Sequence, residues 1–204
     1  MLRVGLTGGI ACGKSTVGEM LVRRGAHLLQ ADTLAHQLYA PGAAVYDEVV
    51  RQFGREILKE DGTIDRATLA RAAFPARIGE LNAIVHPAVI KAQNQWTAEA
   101  ARKNPHGIAV VEAALIIEAG VAKDFDKLIV VTCDFEHRVE RYAERARISL
   151  AAALSEVERR SAAQLPDEEK VRRADYVIEN SGATEETERQ VEEIWNKLQT
   201  LAGG

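Results

Sequence analysis

The chain has few cysteines and no long apolar segment, and both absences restrict what it can be. Among its 204 residues only Cys12 and Cys133 are cysteines, too few for a metal-binding set of thiolates. Nothing near the start resembles a secretion signal, because glycine, threonine and lysine interrupt the first twenty residues. No apolar run approaches the length that crosses a membrane. We therefore expect a cytoplasmic protein with two free thiols.

The chain also lacks a strong excess of charge of either sign. Its 30 acidic and 26 basic residues leave a formal net charge of −4 at pH 7. Such a balance supplies no global field that would attract nucleic acid or an anionic membrane, so we expect neither as a partner. Aromatic residues make up only 5%, but a hydrophobic fraction of 47% can form the core of one α/β domain with insertions. The composition does not distinguish a monomer from a homo-oligomer.

A glycine-rich segment near the start, GLTGGIACGKST at residues 5–16, has the spacing of a phosphate-binding loop. In such a loop the backbone N–H groups surround phosphate oxygens, the lysine reaches the β- and γ-phosphates, and the hydroxyl binds Mg²⁺. Lys14 and Ser15 occupy the lysine and hydroxyl positions. A strand-like run precedes the segment and helical spacing follows it, as this loop requires. The pattern predicts Ser15 as a metal ligand but names no substrate.

Apolar runs between turn residues predict a doubly wound, five-stranded parallel sheet with helices on both faces, a three-layer α/β/α core. The predicted strands are Arg3–Thr7, His27–Ala31, Ile108–Glu112, Leu128–Thr132 and Tyr176–Glu179.

Two long gaps between these strands predict helical insertions. The core is expected at residues 1–32, 106–134 and 172–204, with a helical acceptor subdomain at 33–105 and a lid at 135–171. Helical patterns within the first insertion cover residues 43–53, 66–73, 78–85 and 87–101.

The second insertion carries a row of arginines. Arg138, Arg141 and Arg145 are spaced by three and four residues, so they share one face of a helix. Like charges in such a row repel one another unless an anion meets them. We therefore predict a lid that clamps phosphate, and an exposed, salt-bridged helix surface is the alternative.

Three further side chains stand where acceptor chemistry could occur. Asp32 ends the second predicted strand, where it could orient and deprotonate an attacking hydroxyl or cap the helix that begins near Thr33. Glu112 ends the third strand, where it could contact a metal-bound water or the acceptor, or pair with a cation. His86 precedes Pro87 between two predicted helices, where it could bind substrate or only mark a helix start.

Taken together, the motifs resemble those of dephospho-CoA kinases over nearly the whole chain. The segments that carry the resemblance are GLTGGIACGKST, ADTLAHQLYAPG, LNAIVHP, VVEAALIIE, RVERYAERARIS and ADYVIENSG. It implies a P-loop kinase that uses ATP and Mg²⁺ to phosphorylate the ribose 3′-hydroxyl of dephospho-CoA, the last step of coenzyme A synthesis. The insertion at 33–105 would receive the CoA portion.

The resemblance also implies roles for individual residues. Asp32, Lys14 and Arg141 would be catalytic, and Asp32, His86 and Glu112 would contact the acceptor. The implied ATP-binding residues are Gly8, Gly9, Ile10, Ala11, Cys12, Gly13, Lys14, Ser15, Thr16, Arg145, Asn180 and Gly182.

Departures from the family pattern and two rival functions complete the expectations. Ala11 replaces a common glycine, so the loop is unstrained only if Ala11 takes a negative φ. Glu112 and Ala114 stand where aspartate and proline are common, which leaves the path of residues 112–118 open.

The rivals are another P-loop small-molecule kinase and a regulatory NTP-binding module. Guanine-specific switches carry N-K-x-D, whereas Asn196-Lys197 is followed here by leucine and glutamine.

Overall fold

A computed structural model describes residues 1–203, and its centre is a five-stranded sheet with the order β2-β3-β1-β4-β5. Strand β1 pairs in parallel with both β3 and β4, and β4 pairs in parallel with β5. The predicted α/β class and parallel sheet are confirmed. The strands are β1 (Leu2–Gly8), β2 (His27–Gln30), β3 (Ile108–Glu112), β4 (Lys127–Thr132) and β5 (Tyr176–Glu179).

Nine α-helices occur within residues 1–203, together with short 3₁₀ turns at Arg55–Ile57 and Ala122–Asp124. None of the helices in this range combines the length and apolar character needed to cross a membrane. The helices are α1 (Lys14–Arg23), α2 (Ala31–Leu38), α3 (Tyr46–Phe53), α4 (Arg66–Ala73), α5 (Ile78–Lys103), α6 (Phe135–Ala146), α7 (Leu150–Ser161), α8 (Asp167–Val171) and α9 (Thr184–Gly203).

The chain divides into two compact units. The core unit comprises Met1–Leu29 and the chain from Ala100 onward, and the insert unit is Gln30–Glu99. In the core unit, alternate residues of the buried strands point to opposite faces of the sheet. Val131 packs in the cluster that contains α1 and α9, whereas Val130 packs against the segment that follows β3. The insert unit has its own apolar cluster from α3, α4 and α5.

Two element boundaries in the insert unit differ from the sequence expectation. The residues around His86-Pro87 lie inside one continuous helix, α5, and do not separate two helices. Strand β2 ends at Gln30 and α2 begins at Ala31, so Asp32 lies in the first helical turn instead of ending the strand. Gln30 occupies the N-cap position, and the proposed capping role of Asp32 is therefore wrong.

Candidate active site

The segment between β1 and α1 forms the phosphate loop that the sequence predicts. Gly8 and Gly13 adopt positive φ angles of 152° and 92°. A Cβ on Gly8 would lie 2.2 Å from the Val131 carbonyl oxygen, and one on Gly13 would lie 2.0 Å from Nδ2 of Asn180. Both positions therefore require glycine, because neither the conformation nor the space accepts a side chain.

Ala11 lies in the left-handed region, with a φ of 54°. Of the two alternatives that the sequence leaves open, a relaxed negative φ or a strained loop, the structure shows the second. The turn of the loop thus requires a conformation that glycine adopts more readily than alanine. A left-handed conformation costs an L-residue roughly 1–2 kcal/mol. The loop therefore contains local strain at Ala11.

The Lys14 side chain folds back over the loop. Its Nζ donates hydrogen bonds to the carbonyl oxygens of Gly8 and Gly9, at 3.2 and 2.8 Å. The ammonium group is thereby held next to the backbone that a phosphate would contact. This places one positive charge against the backbone of the loop.

Ser15, the first hydroxyl of the motif, contacts a carboxylate from the neighbouring strand. Its Oγ donates a hydrogen bond to Oε1 of Glu112 at 2.7 Å, and Glu112 is buried with 9% exposure. β3 lies beside β1 in the sheet, which brings together residues 97 positions apart. Hydroxyl and carboxylate oxygens are the hard ligands that Mg²⁺ prefers, in combination with substrate phosphates. The two side chains therefore fit a magnesium site; Thr16, the next residue, is exposed.

A site of this kind depends on the substrate for most of its metal ligands. Within the described part of the chain there is no group of three or more His, Cys, Asp or Glu side chains that could hold a metal ion. Magnesium at phosphate sites commonly uses one or two protein oxygens plus phosphate oxygens and water. The arrangement at Ser15 and Glu112 matches that mode of binding.

The arginine row of α6 does not form one uniform surface. Arg138 is buried, donates from Nε to the Cys133 carbonyl at 2.7 Å, and pairs with Asp167 of α8. A Cβ on Gly9 would lie 2.6 Å from Nη1 of Arg138, so this guanidinium borders the phosphate loop. A row of equivalent, anion-clamping arginines is therefore too simple a description.

The other two arginines of the row are less enclosed. Arg141 is half-buried and donates from Nη1 to Sγ of Cys133 at 3.2 Å, on the side of the helix that faces Gly13. Arg145 is exposed and lies over the ring of Tyr142, 5.4 Å from its centroid. Arg141 is therefore the nearer of the two to the phosphate loop.

The tip of the loop packs against the predicted lid. Ile10 belongs to a buried cluster with Val139 and Ala143 of α6 and with Ala153 and Val157 of α7. Burial of these apolar side chains stabilises contact between the loop and the two helices. A change in the position of α6 and α7 would therefore disturb the loop directly.

Asn180 joins the end of β5 to the phosphate loop. Its Nδ2 donates to the Cys12 carbonyl at 2.8 Å, and its Oδ1 accepts from Oγ1 of Thr187 at 2.8 Å. The side chain is buried and both polar atoms have protein partners. Gly182 is exposed in the turn that precedes α9. Any contact from this segment to a nucleotide would therefore come from the backbone of the turn, while Asn180 supports the loop.

Cys12 lies within the phosphate loop, and Cys133 directly follows β4. Cys12 and Cys133 are free and buried. Burial raises the pKa of the Cys12 thiol, although Lys14 and Arg138 act in the opposite direction. Burial also raises the pKa of Cys133, with Arg141 opposing it. Both thiols are therefore protonated at neutral pH and unreactive.

The predicted acceptor residues other than Glu112 belong to the insert unit. Asp32 is exposed in the first turn of α2, and His86 is exposed in the middle of α5. Each is therefore available to a ligand.

Two contacts of the core unit were not predicted from the sequence. One is the pairing of Arg138 with Asp167. The other surrounds Lys170, which has no exposed surface and whose Nζ lies 3.0 Å from Oε1 of Gln164 and 3.2 Å from Oε1 of Glu118. For Arg138, the sequence offered one signal of a distinct role, its position nearest the start of the helix among the arginines of the row. For Lys170, nothing in the sequence distinguished it from an exposed lysine.

Comparison with known proteins assigns the family. The family model described as dephospho-CoA kinase matches residues 2–186. A dephospho-CoA kinase of Aquifex aeolicus is 42% identical, over 97% of this chain and 98% of the relative. One of Geobacter metallireducens is 44% identical, over 97% and 96%.

Solved structures agree with the observed fold. A Thermus thermophilus protein is similar with a TM-score of 0.80 and 33% identity, covering 97% of each chain. The dephospho-CoA kinase of Campylobacter jejuni has a TM-score of 0.69 at 24% identity, also over 97% of each chain, and this likeness is evidence for the fold. The matching family model and relatives span the phosphate loop, the insertion and the arginine helix together, and the chain belongs to the dephospho-CoA kinase family.

Proposed function

We propose that the protein transfers the γ-phosphoryl group of ATP to the ribose 3′-hydroxyl of dephospho-CoA, giving coenzyme A and ADP. The observation that carries the proposal is the extent of the family match, residues 2–186, which includes the insert unit as well as the phosphate loop. A loop alone would support any P-loop enzyme, because its motif occurs in many of them. We further propose that the reaction takes place in the cytoplasm.

The core unit supplies the groups that phosphoryl transfer requires. Phosphoryl transfer depends on positioning and on neutralisation of the charge that spreads over the transferred group. The loop amides of residues 8–16 would hold the triphosphate, with Lys14 at the β- and γ-phosphates. Mg²⁺, when bound, would neutralise phosphate charge, and Ser15 and Glu112 are the side chains that would hold it.

Asp32 is the residue that we assign as the general base. A base must be able to reach the hydroxyl whose proton it accepts, and the Asp32 carboxylate is exposed at the start of α2. It would orient the ribose hydroxyl in line with the γ-phosphate and accept its proton. His86 and Glu112 are proposed as further contacts to the acceptor.

The helices α6 and α7 are proposed to act as the lid. Arg141 would contact the transferred phosphoryl group and Arg145 the nucleotide, while the turn at Asn180 and Gly182 would lie near the adenine. Exclusion of water by such a lid strengthens each electrostatic interaction within the site. Arg141 would therefore contribute more to turnover than to the binding of free ATP.

The test is turnover of purified protein with ATP, Mg²⁺ and dephospho-CoA, followed by release of ADP. Phosphorus NMR of the product would locate the new phosphate on the ribose 3′-oxygen. A panel of other alcohols, including shikimate, sugars and nucleosides, is the control for acceptor choice. Preference for another alcohol would contradict the proposed acceptor, and ATP binding without transfer to any acceptor would favour a regulatory module.

A further inference from the structure

A group of polar side chains surrounds α2 in the insert unit. Asp32 and His36 are four residues apart, so they lie one turn from each other on the same face of the helix. Arg66 is the first residue of α4, and its guanidinium contacts Nε2 of His36. The Arg66 charge also acts on the half-buried phenol of Tyr39, whose pKa burial raises. Asp32, His36 and Arg66 are all exposed.

Arg66 differs from other arginines of its unit in what it contacts. Arg77 pairs with Glu80 at 2.8 Å, and Arg71 donates to Oγ1 of Thr68 at 2.9 Å. Among the ion pairs formed by residues 1–203, none includes Arg66. Within the described residues its positive charge is therefore not paired with a carboxylate.

The groups nearest Arg66 explain why its charge remains available. The adjacent carboxylate, Asp65, is the N-cap of α4 and accepts from the backbone N–H groups of Ala67 and Thr68. The partner that Arg66 does have is an imidazole. Partial burial and the Arg66 charge lower the pKa of His36, against the opposing effect of Asp32, so the ring is neutral at pH 7. A neutral ring nitrogen can orient the guanidinium by accepting its N–H without cancelling its charge.

We propose that Arg66, oriented by His36, binds the diphosphate of the acceptor and thereby places the acceptor's ribose hydroxyl at Asp32. The inference rests on the proposed function, because dephospho-CoA carries an adenosine ribose and a diphosphate in one molecule. A guanidinium presents two parallel N–H groups that match phosphate oxygens, which an ammonium group does not. Asp32 and His36 are separated by one helical turn, about 5.4 Å along the axis. That spacing suits a ribose whose hydroxyl and 5′-phosphate lie on opposite sides of the ring.

Replacement of Arg66 tests the subsite, because it should change the KM for one substrate and not for the other. Arg66→Ala is expected to raise the KM for dephospho-CoA roughly 10- to 100-fold, the loss of a charge-assisted hydrogen bond, and to leave the KM for ATP unchanged. Arg66→Lys keeps the charge but not the paired N–H groups, so its KM for dephospho-CoA should fall between those of the unaltered protein and Arg66→Ala. The matched control is Arg71→Ala on the same helix, which should behave as the unaltered protein.

His36 is a positioning residue, and its replacements separate orientation from folding. His36→Gln retains a hydrogen-bond acceptor and should raise the KM for dephospho-CoA less than His36→Ala does. Equal effects of the two replacements would contradict the orienting role. Circular dichroism and thermal unfolding of both variants would establish that α2 is intact.

The chemical group that Arg66 contacts is identified by inhibitors that compete with dephospho-CoA at saturating ATP. AMP retains the 5′-phosphate and adenosine does not, so Arg66→Ala should weaken inhibition by AMP and leave inhibition by adenosine unchanged. Equal weakening of both inhibitors would overturn the assignment to the phosphate. So would an unchanged KM for dephospho-CoA in Arg66→Ala, although the proposed function would stand. Absence of dephospho-CoA turnover and binding in the unaltered protein would reject both the function and the subsite.

Discussion

The Ser15 hydroxyl donates a hydrogen bond to Glu112 at 2.7 Å, which links the first helical turn after the phosphate loop to the end of β3. Replacement of Ser15 by alanine removes a hydroxyl oxygen, and replacement of Glu112 by glutamine removes a negative charge. Each change should therefore weaken Mg²⁺ activation. We expect a rise on the order of 10- to 100-fold in the Mg²⁺ concentration needed for half-maximal turnover. Titration of activity with Mg²⁺ at a fixed ATP concentration measures this half-maximal concentration.

A surface carboxylate of α1 provides the control for that experiment. Glu19→Gln removes an exposed negative charge from the same helix as Ser15 and should leave Mg²⁺ activation unchanged. If Glu112→Gln responded to Mg²⁺ as Glu19→Gln does, the carboxylate at the end of β3 would have no part in metal binding.

Asp32→Asn is expected to lower kcat by roughly 10²–10⁴ with little change in the KM for ATP. The amide retains the size of the carboxylate but cannot accept the hydroxyl proton. Steady-state kinetics with both substrates varied would measure kcat and the KM for ATP separately. Asp47→Asn, an exposed first-turn aspartate of α3 in the same unit, serves as the control. A kcat near that of the unaltered enzyme would refute the base assignment.

Ala11→Gly should stabilise the protein. The left-handed conformation costs alanine roughly 1–2 kcal/mol, and the extra entropy of glycine in the unfolded chain costs roughly 0.5–1 kcal/mol. The net gain is about 0.5–1 kcal/mol, which corresponds to a rise in Tm of a few degrees. Ala98→Gly, at an exposed position of α5, should instead lower the Tm. A lower Tm for Ala11→Gly would contradict the strain at Ala11.

Glu156 of α7 should contribute stability that depends on pH. Hydrogen bonds from Arg159 and Arg160 lower the pKa of Glu156 from 4.5 to about 2. A depressed carboxyl pKa stabilises the folded state above pH 4.5, and this contribution is lost as the pH falls toward about 2. Urea unfolding should therefore show Glu156→Gln less stable by about 0.5 kcal/mol at pH 7, as for an exposed ion pair.

The pH dependence of that difference is the decisive measurement. The gap between Glu156→Gln and the unaltered protein should narrow as the pH is lowered below 4.5. Glu158→Gln, an exposed neighbour on the same helix, should show no such trend. A difference that stayed constant with pH would point to packing instead of charge.

Much of the fold followed from the sequence, and the differences have physical causes. The predicted bounds of β3 and β5 agree with the structure because turn residues delimit both apolar runs. The prediction of two separate helices at residues 78–85 and 87–101 was wrong. Pro87 removes only one backbone hydrogen bond, whereas Leu81, Val85 and Val89, which lie on both sides of it, pack in one apolar cluster. Burial of that shared face keeps the helix continuous.

The site was predictable where a local motif defines it and unpredictable where distant residues meet. The positions of Lys14 and Ser15 followed from spacing alone. Their partners did not: the contact of Ser15 with Glu112 depends on strand order, and the pairing of Arg138 with Asp167 depends on how α6 and α8 pack. Spacing gives the face of a helix on which a residue lies, but not what covers that face.

The burial of both native cysteines has a practical consequence for following motion in this protein. Thiol-reactive dyes should spare Cys12 and Cys133, because each thiol is enclosed and protonated at neutral pH. Cysteines introduced on the surface of α7 and α3 would then accept a fluorophore pair without prior removal of the natural ones. Energy transfer between the two dyes would then measure whether the distance between these two helices changes when nucleotide is added.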